Sequence, residues 1–192
     1  AMEIAQKRWD GIAKPLHSLG KLETLLIQIA GITGNAEVDL SRRGLIAMCA
    51  DNGVVEEGVT QTGQEVTAIV AENFLKYDTS VGVMCKQNHA EIFPVDMGMV
   101  TDTKVRTDHK IAYGTQNMTK GPAMTREQAV KGLEAGIDMV RELNDKGYRI
   151  LATGEMGIGN TTTSSAVASV LLKQPVEEMT GRGAGLTSEG LV

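Results

Sequence analysis

Apolar side chains at Leu22, Leu25, Leu26 and Ile29 return at helical spacing within residues 18–32. The pattern predicts an amphipathic helix capped by Ser18 and stopped at Gly31. Gly44-Leu45-Ile46-Ala47-Met48-Cys49-Ala50 is apolar without alternation and breaks at Asp51-Asn52-Gly53, as expected of a strand buried on both faces. Thr62-Gly63-Gln64-Glu65 has the spacing of a capping box, and Val66, Ile69, Val70 and Phe74 carry a helical period behind it. A shorter helix is expected over residues 80–88. Next comes the apolar run Ile92-Phe93-Pro94-Val95, which ends in Asp96-Met97-Gly98. Pro94 offers no N–H to a ladder, so this strand belongs at a sheet edge or begins there.

Residues 101–124 are irregular and rich in Thr, Lys, Asp and Gly; a connection of that length is commonly functional. Thr125-Arg126-Glu127-Gln128 is a second capping box. Val130, Leu133, Ile137 and Val140 keep the helical period to a stop at Lys146-Gly147. Residues 148–153 read as a strand that runs into Gly154-Glu155-Met156-Gly157-Ile158-Gly159, and a helix opens at Asn160. Strands alternating with amphipathic helices over more than 100 residues predict an α/β domain with a mostly parallel sheet. Residues 1–40 form a helical segment of a smaller part, and residues 41–192 form the α/β nucleotide-binding part. The last six residues start what reads as another helix, so a chain truncated at its C-terminus is expected.

Composition narrows the function. The 192 residues are 42% apolar and 22% charged, within the range of folded domains. A net charge of −5, without clustered Lys and Arg, removes the phosphate-neutralising term of nucleic-acid binding. One Trp, three Tyr and two Phe leave few rings for base stacking. No apolar run approaches the roughly 20 residues of a membrane span and no secretory pattern opens the chain, so cytoplasm is the expected location. Cys49 and Cys85 stand apart in apolar surroundings, as buried reduced thiols would. His17, His89 and His109 are dispersed without partners at ligand spacing, so no metal site and no cofactor are expected.

The 22 glycines exceed the roughly 7% average and gather at the ends of apolar runs, where a backbone turns or approaches a ligand. In an open α/β sheet, ligands bind beyond the carboxyl ends of the strands. Asp51, Asp96 and Glu155 would lie along that edge. For Asp51 and Asp96, a ligand-facing carboxylate and a satisfied loop carboxylate are both open readings. Glu155, between glycines at a strand-to-helix turn, suits a ligand better than a core. The run from Gly154 to Thr163 combines free amides, the positive end of a helix dipole and first-turn hydroxyls, which suit a phosphate. It lacks the Gly-Lys-Ser/Thr ending of a nucleoside-triphosphatase loop, which favours a monophosphate. Tight strand-to-helix packing is the alternative use of the same glycines. Thr180-Gly181-Arg182-Gly183-Ala184-Gly185 brings one cation and reads either as a second wall for the anion or as a flexible turn.

Ala152-Thr153-Gly154-Glu155-Met156-Gly157-Ile158-Gly159-Asn160-Thr161-Thr162 closely resembles the signature of the nicotinate-nucleotide:dimethylbenzimidazole phosphoribosyltransferase family, which makes α-ribazole phosphate for the lower ligand of cobalamin. Further segments agree in order: Lys14-Pro15 with Ser18-Leu19-Gly20-Lys21-Leu22-Glu23, Ala50-Asp51-Asn52-Gly53-Val54, Gln64-Glu65-Val66-Thr67, Gly114-Thr115-Gln116-Asn117-Met118 and Thr180-Gly181-Arg182-Gly183.

The resemblance implies a three-layer α/β/α fold with a Rossmann-like sheet, a small helical part and a homodimer. It also implies a reaction: a ring nitrogen of dimethylbenzimidazole attacks the anomeric carbon of nicotinate mononucleotide, and nicotinate leaves with inversion to the α configuration. Positioning and electrostatics should dominate such catalysis. The family pattern assigns the phosphate to Gly157, Gly159, Asn160 and Thr161, helped by Gly181 and Gly183, between which Arg182 is the candidate cation read from the residues themselves. It sets Glu155, the catalytic candidate, by nicotinate and ribose, and Asp51, Asn52 and Gln64 around the benzimidazole.

Two positions depart from the pattern: His17 stands where glycine is common in the family, and Asn52 where some members have histidine. The general base of the family lies in a later Gly-Glu-Gly segment that these residues do not include. A non-catalytic nucleotide- or nucleobase-binding module, or an inactive fragment, is therefore the competing reading.

Overall fold

The computed structural model describes residues 1–184 and 187–191, and two compact units divide them at Arg42/Arg43. In the first, α1 (Met2–Asp10) precedes α2 (Lys21–Thr33). The expected cap and stop of α2 are both corrected. Gly20, at φ 53°, takes the N-cap place instead of Ser18, and the helix runs through Gly31 to a left-handed Gly34 at φ 68°. A Cβ at Gly31 would lie 2.7 Å from the Met2 side chain, so this glycine serves helix packing rather than termination.

The chain between the two helices is wound around Glu23. This carboxylate is buried, pairs with Lys14 Nζ at 2.8 Å and accepts the Leu19 amide at 3.1 Å. His17 adopts φ 59°, a left-handed conformation that a glycine would take at no steric cost.

In the second unit, β1 (Arg43–Ala50), β2 (Ala90–Gly98) and β3 (Ile150–Met156) form a parallel sheet in the order β2-β1-β3. Between β1 and β2 lie a 3-10 turn (Gly53–Glu57), α3 (Glu65–Lys76) and α4 (Ser80–Gln87). Next, α5 (Arg126–Asp145) leads to β3, and α6 (Asn160–Leu172) follows it. A short α7 (Val176–Met179) and a 3-10 turn (Glu189–Leu191) complete the described elements.

The central strand is buried on both faces, as its unbroken apolar run predicts. Ala47 and Cys49 pack with Ala68, Ala71 and Phe74 of α3, while Ile46 packs with Val95, Tyr148 and Met139 and Leu143 of α5. Helices therefore cover opposite faces, giving the three-layer α/β arrangement. Pro94 sits on the outer strand β2, opposite Ala47, where a missing ladder donor is tolerated. Both cysteines are buried and free, and burial, with Asp96 nearby, pushes the Cys49 thiol up to about 12.

The Thr125 capping box forms with both of its hydrogen bonds. The expected Thr62 box does not. Gln64 holds the N-cap place of α3 without a capping bond, and the Thr60 hydroxyl donates to the Thr62 carbonyl at 2.7 Å. The last strand also differs, running from Ile150 through Glu155 to Met156 because its ladder with β1 continues across Gly154.

Candidate functional site

Because β2 and β3 flank β1, the crossover α3 runs to one side and α5 to the other, and the loops after β1 and β3 diverge at the carboxyl edge. This is the switch point at which open α/β sheets bind ligands. Glycine at 157 is required sterically: a Cβ there would overlap the Ala50 carbonyl oxygen and lie 3.0 Å from Asn52 Nδ2. Gly159 caps α6 at φ 87°, where a Cβ would lie 2.9 Å from the Val55 side chain. The two loops are stitched together by Asn52. Its Nδ2 donates to the Ile158 carbonyl at 3.0 Å, its Oδ1 accepts from the Thr163 hydroxyl at 3.2 Å, and its own carbonyl accepts from Gln64 Nε2 at 3.1 Å.

The first turn of α6 leaves amides without intrahelical acceptors. The Asn160 amide turns back to the Gly157 carbonyl, whereas those of Thr161 and Thr162 have no backbone acceptor among the described residues. Thr161 lines a cleft of about 260 Å³ with residues 59–62, 158–160 and 182–184, and Thr162 lines the recess beside it. Arg182 is the cleft's one cation among the described lining residues. An adjoining recess of about 120 Å³ adds Gly181 and Thr180, whose hydroxyl is buried without a hydrogen-bond partner among the described residues. Gly183, at φ 59°, lies so close to Thr161 that a Cβ would come within 2.8 Å of its hydroxyl, so the two glycine-rich segments meet. Gly185 lies outside the described residues. Free amides, hydroxyls and one guanidinium around an open cleft can hold a small anion.

The other expected residues are arranged differently. Glu155 is exposed at the end of β3 and accepts from Asn160 Nδ2 at 2.6 Å, which joins it to the cleft through Asn160 rather than along its wall. Asp51 is fully buried: its Oδ2 accepts the Val100 amide at 2.8 Å, and its backbone ties β1 to Gly98 and Thr115. Burial raises its pKa, against lowering contributions from the Thr67 hydroxyl and the Val100 amide. Asp96 is likewise buried, accepting the Gly98 and Met99 amides and pairing with Lys110 at 3.1 Å. Asp96 is thus a satisfied loop carboxylate, whereas Asp51 Oδ1 is buried without a hydrogen-bond partner among the described residues. Among the described residues, no group of three His, Cys, Asp or Glu could hold a metal ion.

Sequence reasoning missed the stretch Val59-Thr60-Gln61-Thr62, which forms one wall of the cleft, and Thr67, whose hydroxyl accepts the Ile158 amide at 3.0 Å. Only a capping pattern marked the first, and that pattern does not form.

A family model described as phosphoribosyltransferase matches residues 1–192. The chain belongs to this family. The resemblance carried by residues 152–162 and their companion segments thus extends over the whole chain. It is 51% identical over 193 residues to a protein of Ruminiclostridium cellulolyticum named nicotinate-nucleotide--dimethylbenzimidazole phosphoribosyltransferase, covering 100% of this chain and 55% of that one. A Clostridium acetobutylicum protein of the same name is 50% identical over 190 residues, covering 98% and 54%. Among solved structures, CobT from Thermus thermophilus superposes with a TM-score of 0.88 at 36% identity, covering 99% of this chain and 58% of that one. The chain spans about 55% of the length of the curated relatives it matches.

Proposed function

We propose that the protein serves the transfer of the ribose phosphate of nicotinate mononucleotide to dimethylbenzimidazole, which gives α-ribazole phosphate and nicotinate in cobalamin biosynthesis. The observation that carries this reading is the cleft at the start of α6, with two unengaged amides, the Thr161 hydroxyl and Arg182, in a chain about 50% identical to relatives bearing that enzyme's name. Its 260 Å³ and single cation suit one phosphate rather than a diphosphate. Gly157, Gly159, Asn160 and Thr161, with Gly181, Arg182 and Gly183, form the phosphate cradle. Asn52 and Gln64 shape the loop beside it for the acceptor base, and buried Asp51 supports that loop from beneath. Glu155, held by Asn160, borders the ribose and nicotinate.

In this reading, residues 1–40 belong to a helical part and residues 41–192 carry the nucleotide site, in a cytoplasmic homodimer without a metal, a cofactor or nucleic acid. No described helix is long and apolar enough to cross a membrane.

The test is direct: the protein is incubated with nicotinate mononucleotide and dimethylbenzimidazole, and free nicotinate and α-ribazole phosphate are measured. Turnover that falls at least tenfold in Glu155→Gln, with the melting curve unchanged, is expected. Saturable nucleotide binding without nicotinate release would favour a binding module, and the absence of binding would refute the site.

A further inference from the structure

We propose that Thr67 is a positioning residue for the anion-binding loop: from the first turn of α3 it holds the Ile158 peptide, and so sets the direction in which the Thr161 and Thr162 amides face the cleft. The proposal rests on the reading of that loop as a phosphate site.

Ile158 stands between two glycines, one of them at φ 87°, so the local sequence leaves its peptide plane weakly determined. The plane is fixed instead from both sides by residues far away in sequence. Its N–H donates to Thr67 Oγ1 at 3.0 Å, and its C=O accepts from Asn52 Nδ2 at 3.0 Å. An N–H at this place in a glycine loop would ordinarily point at the bound anion; here it is spent inward, and anion contact passes to the next turn.

Thr67 is fully buried in a part of α3 whose neighbours Ala68, Ala71 and Phe74 are core residues. A β-branched polar residue is a poor helix former, and burying its hydroxyl is unfavourable unless it is bonded. The burial condition is met, because the hydroxyl accepts the Ile158 amide. The loop is thereby braced by Thr67 of α3 on one side and by Asn52, just beyond β1, on the other.

Thr67→Val keeps the shape and removes the acceptor; Thr67→Ser keeps the acceptor. Thr67→Ala adds no bulk and serves in place of valine if that variant does not fold. Two quantities are read: affinity for nicotinate mononucleotide by titration calorimetry, and hydrogen exchange of the Ile158 amide by NMR. Loss of one buried hydrogen bond predicts about tenfold weaker binding and about tenfold faster Ile158 exchange in Thr67→Val, both returning toward wild type in Thr67→Ser. Wild-type affinity together with wild-type Ile158 exchange in a folded Thr67→Val would overturn the proposal. Equal weakening in the valine and serine variants would also overturn it, since a general packing defect does not discriminate between them. If the unaltered protein binds no nucleotide, the reading of the site falls, while Ile158 exchange still decides whether Thr67 fixes the loop.

Discussion

Two glycine-to-alanine substitutions in the same unit should move stability in opposite directions. At Gly157 the new methyl would overlap the Ala50 carbonyl oxygen, a main-chain atom of the central strand, and lie 3.0 Å from Asn52 Nδ2. Neither neighbour can yield freely, because Ala50 is in the ladder and Asn52 is bonded to Ile158 and Thr163. Restoring ordinary separation requires the loop to retreat by roughly 1 Å. Overpacking of this kind costs about 1–3 kcal/mol, and weakening the Asn52 bond to Ile158 adds about 1 kcal/mol. At Gly136, inside α5, a Cβ meets nothing within 4 Å. Alanine there should stabilise by about 0.5–1 kcal/mol through helix propensity alone.

With roughly 2–4 °C per kcal/mol at this chain length, Gly157→Ala should melt about 4–16 °C below wild type and Gly136→Ala a few degrees above it by calorimetry. Displacing the amides by about 1 Å should also weaken nicotinate mononucleotide binding, by about 10- to 100-fold for loss of one hydrogen bond to the charged phosphate. A Gly157→Ala protein with wild-type melting and affinity would refute the account of how the loop is seated.

Two further expectations are independent of the loop. Thr125→Ala removes the acceptor of the α5 capping box, so urea denaturation should show a loss of about 1 kcal/mol without any change in nucleotide affinity. In the first unit, Lys14 above all holds the Glu23 carboxyl below its ordinary range, so its contribution to stability is present above that range and is lost as pH falls through the folded-state value. Lys14→Met should therefore lower the melting temperature most near neutral pH. The gap to wild type should shrink as the pH falls below the ordinary glutamate range and Glu23 protonates, and a gap that is constant with pH would contradict the pairing.

Elements whose signal is local were legible in the sequence. The apolar run 44–50 reads as a buried strand, and Pro94 restricted its own strand to a sheet edge or a strand start, of which the structure shows the edge. The Thr125 box formed with both of its reciprocal bonds, Thr125 N–H to Gln128 Oε1 and Gln128 N–H to Thr125 Oγ1. Signals that depend on what the turn meets in space misled: Thr62 has box spacing but Gln64 turns to Asn52, and Gly31 reads as a helix stop until Met2 is seen beside it. The same division runs through the site. Glycines at 157, 159 and 183 mark close backbone approaches, and the order strand, glycine loop, helix marks the cleft for which an anion is proposed.

Which acids would face a ligand was open, since Asp51, Asp96 and Glu155 occupy equivalent strand ends. Burial separates them: the first two are enclosed and accept backbone amides, and only the third is exposed.

The sequence by itself determined the alternation of strands and helices and the glycine loop before α6, because periodicity and a missing Cβ act within a few residues. Tertiary structure alone decided that Thr67 and Asn52 hold Ile158 across 91 and 106 positions, and that residues 59–62 complete the cleft. A hydrogen bond reaches about 3 Å in space and carries no mark in the chain of how far apart its partners lie.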